Sequence, residues 1–422
     1  MRIVSLDVGS SSVRAVAFDE TGTAEPGDAH LAYDDLDAET LVAACRAVLS
    51  QVGDGDELAL SCFWHSLLPV DEHDSPLAPV LTWRDRAGDL PALDPADYHR
   101  RTGCFLHPSY WPAKISLLRS HGLEPARYLS FADYLLLRLA GDARTSVSTA
   151  SGTGLFDPNR LDWDDETLAA CGVDHAQLPP LRDEAVAGVH PALGDGACSN
   201  LGAGCVGRGR AAVMVGTSAA ARVVHGATVA EPRPGLFLYR VDRDRFCEGG
   251  ALSDGGNLYA WLRRTLAPFE GVPLAARAPA AHGLVFRPYL GGERSLGWNP
   301  ARRGAIDGLS FATTALDIAQ AALESVCYRL YAVLAAIGGV ESVVATGGGL
   351  LSSPDWVQVL ADVLGRPVEV SAVAEGSARG AAVAALERAG RPVPAAPVAR
   401  VVEPRPGHHE IHLHAMREQE DG

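Results

Sequence analysis

Two stretches far apart in the chain repeat one another. LDVGSSSVR (residues 6–14) and VMVGTSAAAR (residues 213–222) each run from a short apolar strand through a glycine and two hydroxyl residues to an arginine. Their glycines, Gly9 and Gly216, stand 207 residues apart. Solenoid units repeat every ~20–50 residues, so this period suits two homologous domains facing one cleft instead. The copies differ at one chemically important place: Asp7 of the first corresponds to Met214 of the second. Both halves offer a hydroxyl-rich turn, and only the first turn adds a carboxylate.

Hydrophobic patterning fills in the elements around the two turns. Residues 2–8 and 13–19 read as strands, with Glu20-Thr21-Gly22 as a hairpin turn. Residues 39–52 place Leu41, Cys45, Val48, Leu49 and Val52 at helical spacing. Residues 57–63 predict a buried strand, and 128–140 a helix that stops near Gly141. A second strand-rich block begins at Ala211. Helices are predicted over 252–266, 314–337, 356–364 and 377–389, and a strand over 341–346 that ends in Gly347-Gly348-Gly349. From Gly390 the composition shifts to Pro, Ala and Arg, then to HHEIHLH and an acidic end. That predicts a mobile tail or an ordered strap, not a domain.

Composition removes whole classes of function. Thirty-six basic residues against 52 acidic ones give a net charge of −16, and no basic run interrupts it. Such a chain repels nucleic acid and anionic membrane. No apolar stretch is long enough to span a bilayer, and MRIVSLDVG lacks the layout of a signal peptide. A cytoplasmic protein with a small-molecule partner is expected. The eight cysteines (Cys45, Cys62, Cys104, Cys171, Cys198, Cys205, Cys247 and Cys327) form no CxxC pair. They read as small buried residues in a reducing compartment rather than as zinc ligands or disulfides. Lys114 is the only lysine and is followed by Ile115, which excludes a Walker A loop. Schiff-base chemistry would have to use this one residue.

Several constellations remain. Asp7-x-Gly9-Ser10-Ser11-Ser12 is a tight turn whose amides and hydroxyls can cradle phosphate oxygens. Asp7 suits a hard cation such as Mg²⁺, and Arg14 can neutralise phosphate charge. Gly216-Thr217-Ser218 offers the same surface from the other half. Gly194-Asp195-Gly196 sets a carboxylate among small residues, where a substrate hydroxyl can reach it as a general base requires. A plain Asp-Gly turn accounts for that spacing equally well. Ala345 to Gly349 follows a strand but is not GxGxxG, which disfavours a dinucleotide site and suits a glycine floor under an adenosine. Trp64-His65 and Trp83-Arg84-Asp85 combine aromatic and polar groups at strand ends, as a polyol site needs, although core packing explains each residue singly. His408, His409, His412 and His414 lack a fixed set of acidic or Cys partners and read as solvated.

In order over roughly residues 1–390, the sequence resembles the FGGY family of carbohydrate kinases, on the actin, hexokinase and Hsp70 superfold. The resemblance is carried by LDVGSSSVRAVAFDETG, FWHSLLPVD, PLAPVLTWRDRA, RTGCFLHPSYWPAK, SVSTASGTGLFD, LGDGACSNLGAG, VGTSAAAR, PYLGGERSLGWN and ATGGGLLSSPDWVQVLADVLGRPV. FWHSLLPVD, TGCFLHPSYWPAK and GTSAAAR are most similar to the gluconokinase-like branch. The resemblance implies Asp195 as catalytic base and Asp7, with Asp195, at Mg²⁺. It implies phosphate loops at Ser10, Ser11, Ser12 and Arg14 and at Gly216, Thr217 and Ser218. It implies a nucleotide pocket at Gly255, Gly256, Asn257, Gly347, Gly348, Gly349 and Ser352. A sugar pocket is implied at Trp64, His65, Asp85, Tyr110 and Arg222. The sequence departs from the family in three ways: Ser10 stands where Thr is usual, Arg84 replaces a small residue, and residues 30–40 and 86–98 look like trimmed excursions. An intact fold with a more open pocket is the expectation.

The expected architecture is α/β, with two ribonuclease H-like domains, 1–203 for sugar and 204–390 for nucleotide, flanking a cleft, and a tail over 391–422. The expected reaction is ATP- and Mg²⁺-dependent phosphorylation of a primary hydroxyl, with D-gluconate converted to 6-phosphogluconate. A sugar acid needs a local cation, and Arg222, Arg84 and Lys114 are the candidates. A xylulose or other ketose or polyol kinase is the nearer alternative. A non-catalytic sensor or chaperone-like ATPase is the farther one, and the presence of both Asp7 and Asp195 argues against it. A homodimer is left open.

Overall fold

Residues 1–85, 88–266 and 274–420 are described in the computed structural model. Arg86 and Ala87, which open the 86–98 excursion, and the last residues of the acidic end, Asp421 and Gly422, lie outside them.

Strands β1 (Ile3–Val8), β2 (Ser12–Phe18), β3 (Ala29–Ala32), β4 (Glu57–Cys62) and β5 (Leu193–Gly194) form one sheet in the order β3-β2-β1-β4-β5. A second sheet takes β6 (Arg210–Val215), β7 (Ala219–Gly226), β8 (Phe237–Arg240), β9 (Arg245–Leu252), β10 (Ser342–Thr346), β11 (Val368–Ser371) and β12 (Val398–Val402). Its order is β8-β9-β7-β6-β10-β11-β12. In each sheet an antiparallel hairpin comes first, β1–β2 or β6–β7, and its first strand then pairs parallel with a later one, β4 or β10. The pattern of the whole first sheet therefore recurs inside the second as β9-β7-β6-β10-β11. The likeness of two short turns extends through five strands. β1 reads IVSLDV and is buried everywhere but at Asp7, because α1 and α7 both pack against it.

Helices α1 (Ala38–Val52), α2 (Phe131–Ala140), α3 (Asp195–Gly202), α4 (Gly256–Thr265), α5 (Ala315–Ile337), α6 (Pro354–Leu364), α7 (Gly376–Arg388) and α8 (His408–Glu420) flank and join the sheets. α1 buries Leu41, Val42, Cys45 and Val48 in the first core, and α5 buries a long face in the second. α3 and α7 lie between the sheets: α3 packs on β6 and β7, and α7 on β1 and β4. They approach so closely that a Cβ on Gly380 would fall 1.8 Å from the Cys198 carbonyl oxygen, and one on Gly202 1.8 Å from that of Gly376. Ala381, Ala382 and Ala385 complete this seam of small residues. All eight cysteines are buried and unpaired. Among the described residues no helix is long and apolar enough to cross a membrane.

Three expectations change. The helix predicted over 128–140 is two elements: Arg127–Leu129 pairs as a strand with Leu68–Val70, and Ser130 caps α2 in a reciprocal bond with Asp133. The segment predicted as one helix over 252–266 begins with the end of β9 and turns through Gly255 before α4 starts. After Gly390 the chain takes one of the two expected forms, the ordered strap, so this is no change: β12 extends the second sheet beside β11, and α8 packs on α6. The histidines expected in solvent are only partly so. His412 is buried with Nδ1 2.9 Å from the Tyr328 hydroxyl, and His409 Nδ1 lies 2.8 Å from the Val363 carbonyl. An amphipathic end helix needs such a face to dock.

Candidate active site

Asp7 stands one residue before the end of β1, opposite Arg14 on one side and Ser61 on the other. The Ser61 hydroxyl donates to Asp7 Oδ1 at 2.7 Å. The following turn closes through Gly9 N–H to the Ser12 carbonyl at 2.8 Å, with the Tyr33 hydroxyl donating to the carbonyls of Gly9 and Ser12. Ser10 Oγ accepts from Arg84 Nη2 at 3.3 Å, and Ser11 is exposed at the tip. Arg14 reaches across to Glu375, just before α7, while its Nε finds no partner.

The equivalent turn of the second half, Gly216-Thr217-Ser218, is held from behind by the start of α4. Gly256 N–H donates to the Gly216 carbonyl at 2.8 Å and Asn257 N–H to that of Thr217 at 3.0 Å. A Cβ on Gly255 or Gly256 would strike this backbone at 2.6 or 2.5 Å. The Asn257 side chain accepts from Gly255 N–H and donates to the Ser253 carbonyl, so its polar atoms brace the loop. After β10, Gly347 takes a φ of +81° and presses against the Val215 carbonyl, a position only glycine fits. Gly349 also sits against Val215, whereas Gly348 faces open space. Ser352 is exposed and its hydroxyl donates to the Gly348 carbonyl.

Asp195 is the first residue of α3, and its Oδ1 accepts from Gly196 N–H at 2.8 Å. The glycines beside it have tenants. A Cβ on Gly194 would fall 1.8 Å from the Trp64 ring, and one on Gly196 2.7 Å from that ring and 2.9 Å from Arg222 Nε. Small residues flank the carboxylate so that an indole and a guanidinium can close on it.

Asp7, Asp195, Arg222, Thr346, Gly347 and Glu375 line one cavity of about 180 Å³ between the halves. Enclosure by protein raises the Asp7 pKa to about 7; the charges of Asp195 and Glu375 add to this, and the Ser61 bond and Arg14 oppose it. Burial also raises the Asp195 carboxyl, chiefly against the pull of Arg222. Among the described residues no group of three His, Cys, Asp or Glu could hold a metal by itself. A crowd of carboxylates short of a full ligand set fits Mg²⁺, which keeps waters and takes its remaining oxygens from phosphates. Gly348, open beside Val215, leaves room for a nucleotide.

On the other side of Asp195 the residues expected around a sugar are together, but most face protein. Trp64 donates through Nε1 to the Ser148 carbonyl at 2.9 Å and packs edge-on to Tyr239, so it forms a wall rather than a stacking platform. Tyr110 is fully buried, with its hydroxyl 2.5 Å from that of Tyr239. Asp85 Oδ2 accepts from the Thr82 N–H and hydroxyl, closing its own turn. His65 has a left-handed backbone, φ 69°, and its Nδ1 lies 2.6 Å from the Gly152 carbonyl. Burial, then the nearby Arg294, holds its pKa well below the ordinary imidazole range. The ring is therefore neutral, with Nδ1–H donating and Nε2 left as an acceptor for a hydroxyl.

Of the three cations expected for a sugar acid, Lys114 is fully buried and donates to the His65 carbonyl. Burial lowers its pKa to about 7, so it serves the backbone that presents His65. Arg84 is exposed and turned to Ser10. Arg222, held in β7 opposite Gly249, lines the cavity with Nε and Nη1 unpartnered. Sequence reasoning missed Glu375, Tyr239 and Arg294. The last lay within PYLGGERSLGWN, where a charge beside glycines was the available signal.

Two family models match most of the chain. The N-terminal domain of the FGGY family of carbohydrate kinases covers residues 2–190, and its C-terminal domain covers 211–388. The chain is similar to a gluconokinase of Bacillus subtilis (strain 168), at 28% identity over 451 residues, covering 92% of this chain and 88% of that protein. A glycerol kinase of Rhodospirillum centenum is 30% identical over 448 residues, covering 92% and 89%. The crystal structure of a ligand-bound xylulose kinase from Lactobacillus acidophilus shares the fold, with a TM-score of 0.87 at 23% identity over 100% of this chain and 97% of that one.

Proposed function

The chain belongs to the FGGY family of carbohydrate kinases and is an ATP-dependent sugar kinase, and from that premise we propose that it phosphorylates D-gluconate on its primary hydroxyl to give 6-phosphogluconate. Asp195 is the base. Its carboxylate accepts the hydroxyl proton as that oxygen bonds to the γ-phosphorus of ATP and the bond from phosphorus to the β-phosphate oxygen breaks. A carboxyl raised by burial holds the proton more readily than an exposed one, which is what a base at neutral pH requires. Asp7 and Asp195 are the residues that would hold Mg²⁺, which would neutralise phosphate charge. The Ser10–Ser12 and Gly216–Ser218 turns present amides and hydroxyls to the phosphates from opposite sides, and Arg14 turns from Glu375 toward them. Phosphoryl transfer depends mainly on such positioning and charge stabilisation. The sugar lies chiefly on the first half, 1–203, and the nucleotide chiefly on the second, 204–390.

The observation that favours a sugar acid is Arg222: a buried guanidinium beside the base, two of its nitrogens without partners. An anion on the substrate supplies both acceptors and a balancing charge, whereas a neutral ketose or polyol supplies acceptors alone. The similarity to a glycerol kinase favours a neutral triol as the second reading. A kinetic panel of gluconate, xylulose and glycerol with ATP and Mg²⁺ decides between them. The highest kcat/KM is expected for gluconate, and a higher value for either neutral substrate would overturn the assignment.

A further inference from the structure

The cavity between the halves collects three carboxylates, Asp7, Asp195 and Glu375. Of these, Glu375 alone makes an ion pair among the described residues, and its partner is Arg14 of β2. Asp7 stands directly opposite Arg14 in the β1–β2 register, yet the guanidinium bonds to Glu375. The Arg14 Nε is buried without a partner. Glu375 stands immediately before α7, and its carboxylate makes no bond to the free amides of that helix. The helix fixes its place all the same. α7 packs on β1 and β4, and in its first turn the Ser377 hydroxyl donates to the Asp195 carbonyl at 3.3 Å. The Arg14 and Glu375 side chains are 29% and 27% exposed, so the pair can part without opening the core.

A guanidinium fork fits a carboxylate or a phosphate, so the two compete for Arg14. A phosphate that takes Arg14 leaves Glu375 as an uncompensated charge in a cavity with two other acids, which opposes binding. We propose that Glu375 is a positioning residue: it holds Arg14 while the site is empty, gives it up to a nucleotide phosphate, and so lowers the affinity for nucleotide. This rests on the reading above of Arg14 and the two turns as a phosphate site.

The test is a double-mutant cycle of Glu375→Gln and Arg14→Met, read by equilibrium binding. The probes are the non-hydrolysable ATP analogue adenylyl imidodiphosphate and adenosine, which has no phosphate. Each is measured with saturating Mg²⁺ and without it, and the melting temperature checks the fold. Glu375→Gln is expected to bind the analogue roughly 5- to 20-fold more tightly in both conditions, the worth of a half-exposed ion pair with a charged partner. Adenosine affinity should stay within twofold. With Arg14→Met already in place, the gain from Glu375→Gln should fall at least twofold. Unchanged analogue affinity in Glu375→Gln overturns the proposal. A gain of the same size in both backgrounds overturns it in favour of plain repulsion between acid and phosphate. Weaker binding with Mg²⁺ but not without it overturns it in favour of a place at the metal. Parallel loss of analogue and adenosine, with a lowered melting temperature, overturns it in favour of a structural role. If neither the unaltered protein nor Glu375→Gln binds the analogue with Mg²⁺ more tightly than adenosine, the phosphate-site reading itself fails.

Discussion

Asp7 and Asp195 face one cavity under unlike constraints, and the difference is measurable. Burial keeps the proton on Asp7 up to about pH 7, against 3.8 for the unperturbed group. Its contribution to stability is therefore complete below about 3.8 and is lost as pH rises through 7, where the carboxylate becomes a buried charge among other acids. Asp7→Asn should raise the melting temperature of the ligand-free protein at pH 8 by several degrees. A shift of this size corresponds to at most ~4 kcal/mol. The gain should shrink toward zero as pH approaches 4, as a calorimetric pH series would show. A pH-independent difference would contradict this account of Asp7. At this scale the sequence was informative about residue types and less so about what each one touches. Gly194 and Gly196 read as leaving room for a substrate hydroxyl at Asp195, but much of that room is taken by Trp64, from the turn after β4, and by Arg222, from β7. Tyr110 and Asp85 carry suitable polar atoms, yet each spends them within the protein.

The elements that hold Asp195 meet at glycine. α3 begins with Asp195, the proposed base, and crosses α7 where Gly380 lies against the Cys198 carbonyl. Gly380→Ala forces those helices apart and should cost about 2–3 kcal/mol, the usual penalty for overpacking. Because α3 moves with it, kcat should fall as well; denaturant unfolding and steady-state kinetics on one preparation test both. Unchanged stability would mean that the seam is looser than its distances imply. Helices with sustained periodicity, such as α1, α5 and α6, were legible to within a few residues. The errors fall where a distant partner overrides local pattern. Residues 127–129 have helical neighbours but find a strand at Leu68–Val70, and β9 runs on to Leu252 because β7 lies beside it. Local pattern after Gly390 left a mobile tail and an ordered strap equally open, because β12 has no intrinsic reason to exist without the open edge of β11.

At the scale of the molecule, one unit used twice gives two similar walls with unlike chemistry. The second sheet has Met214 where the first has Asp7, so the first half brings Asp7 and Asp195 to the cavity while the second brings Glu375 and Arg222. The family membership makes the chain a sugar kinase, and the cavity between the halves is where the proposed reaction is placed. Two related turns were enough to read the two-fold architecture from sequence, because a glycine-hydroxyl turn after a strand carries both a backbone geometry and a chemistry. Substrate choice was not as accessible, since it rests on which buried cations lack partners. The account stands or falls on proton removal by Asp195. The most direct test is the rate of ATP-dependent gluconate phosphorylation by Asp195→Asn, measured beside gluconate binding. The account predicts a loss of roughly 10²- to 10⁴-fold in kcat, the usual contribution of a general base, with gluconate affinity changed by no more than a few-fold. A variant that retains near-normal kcat would contradict it.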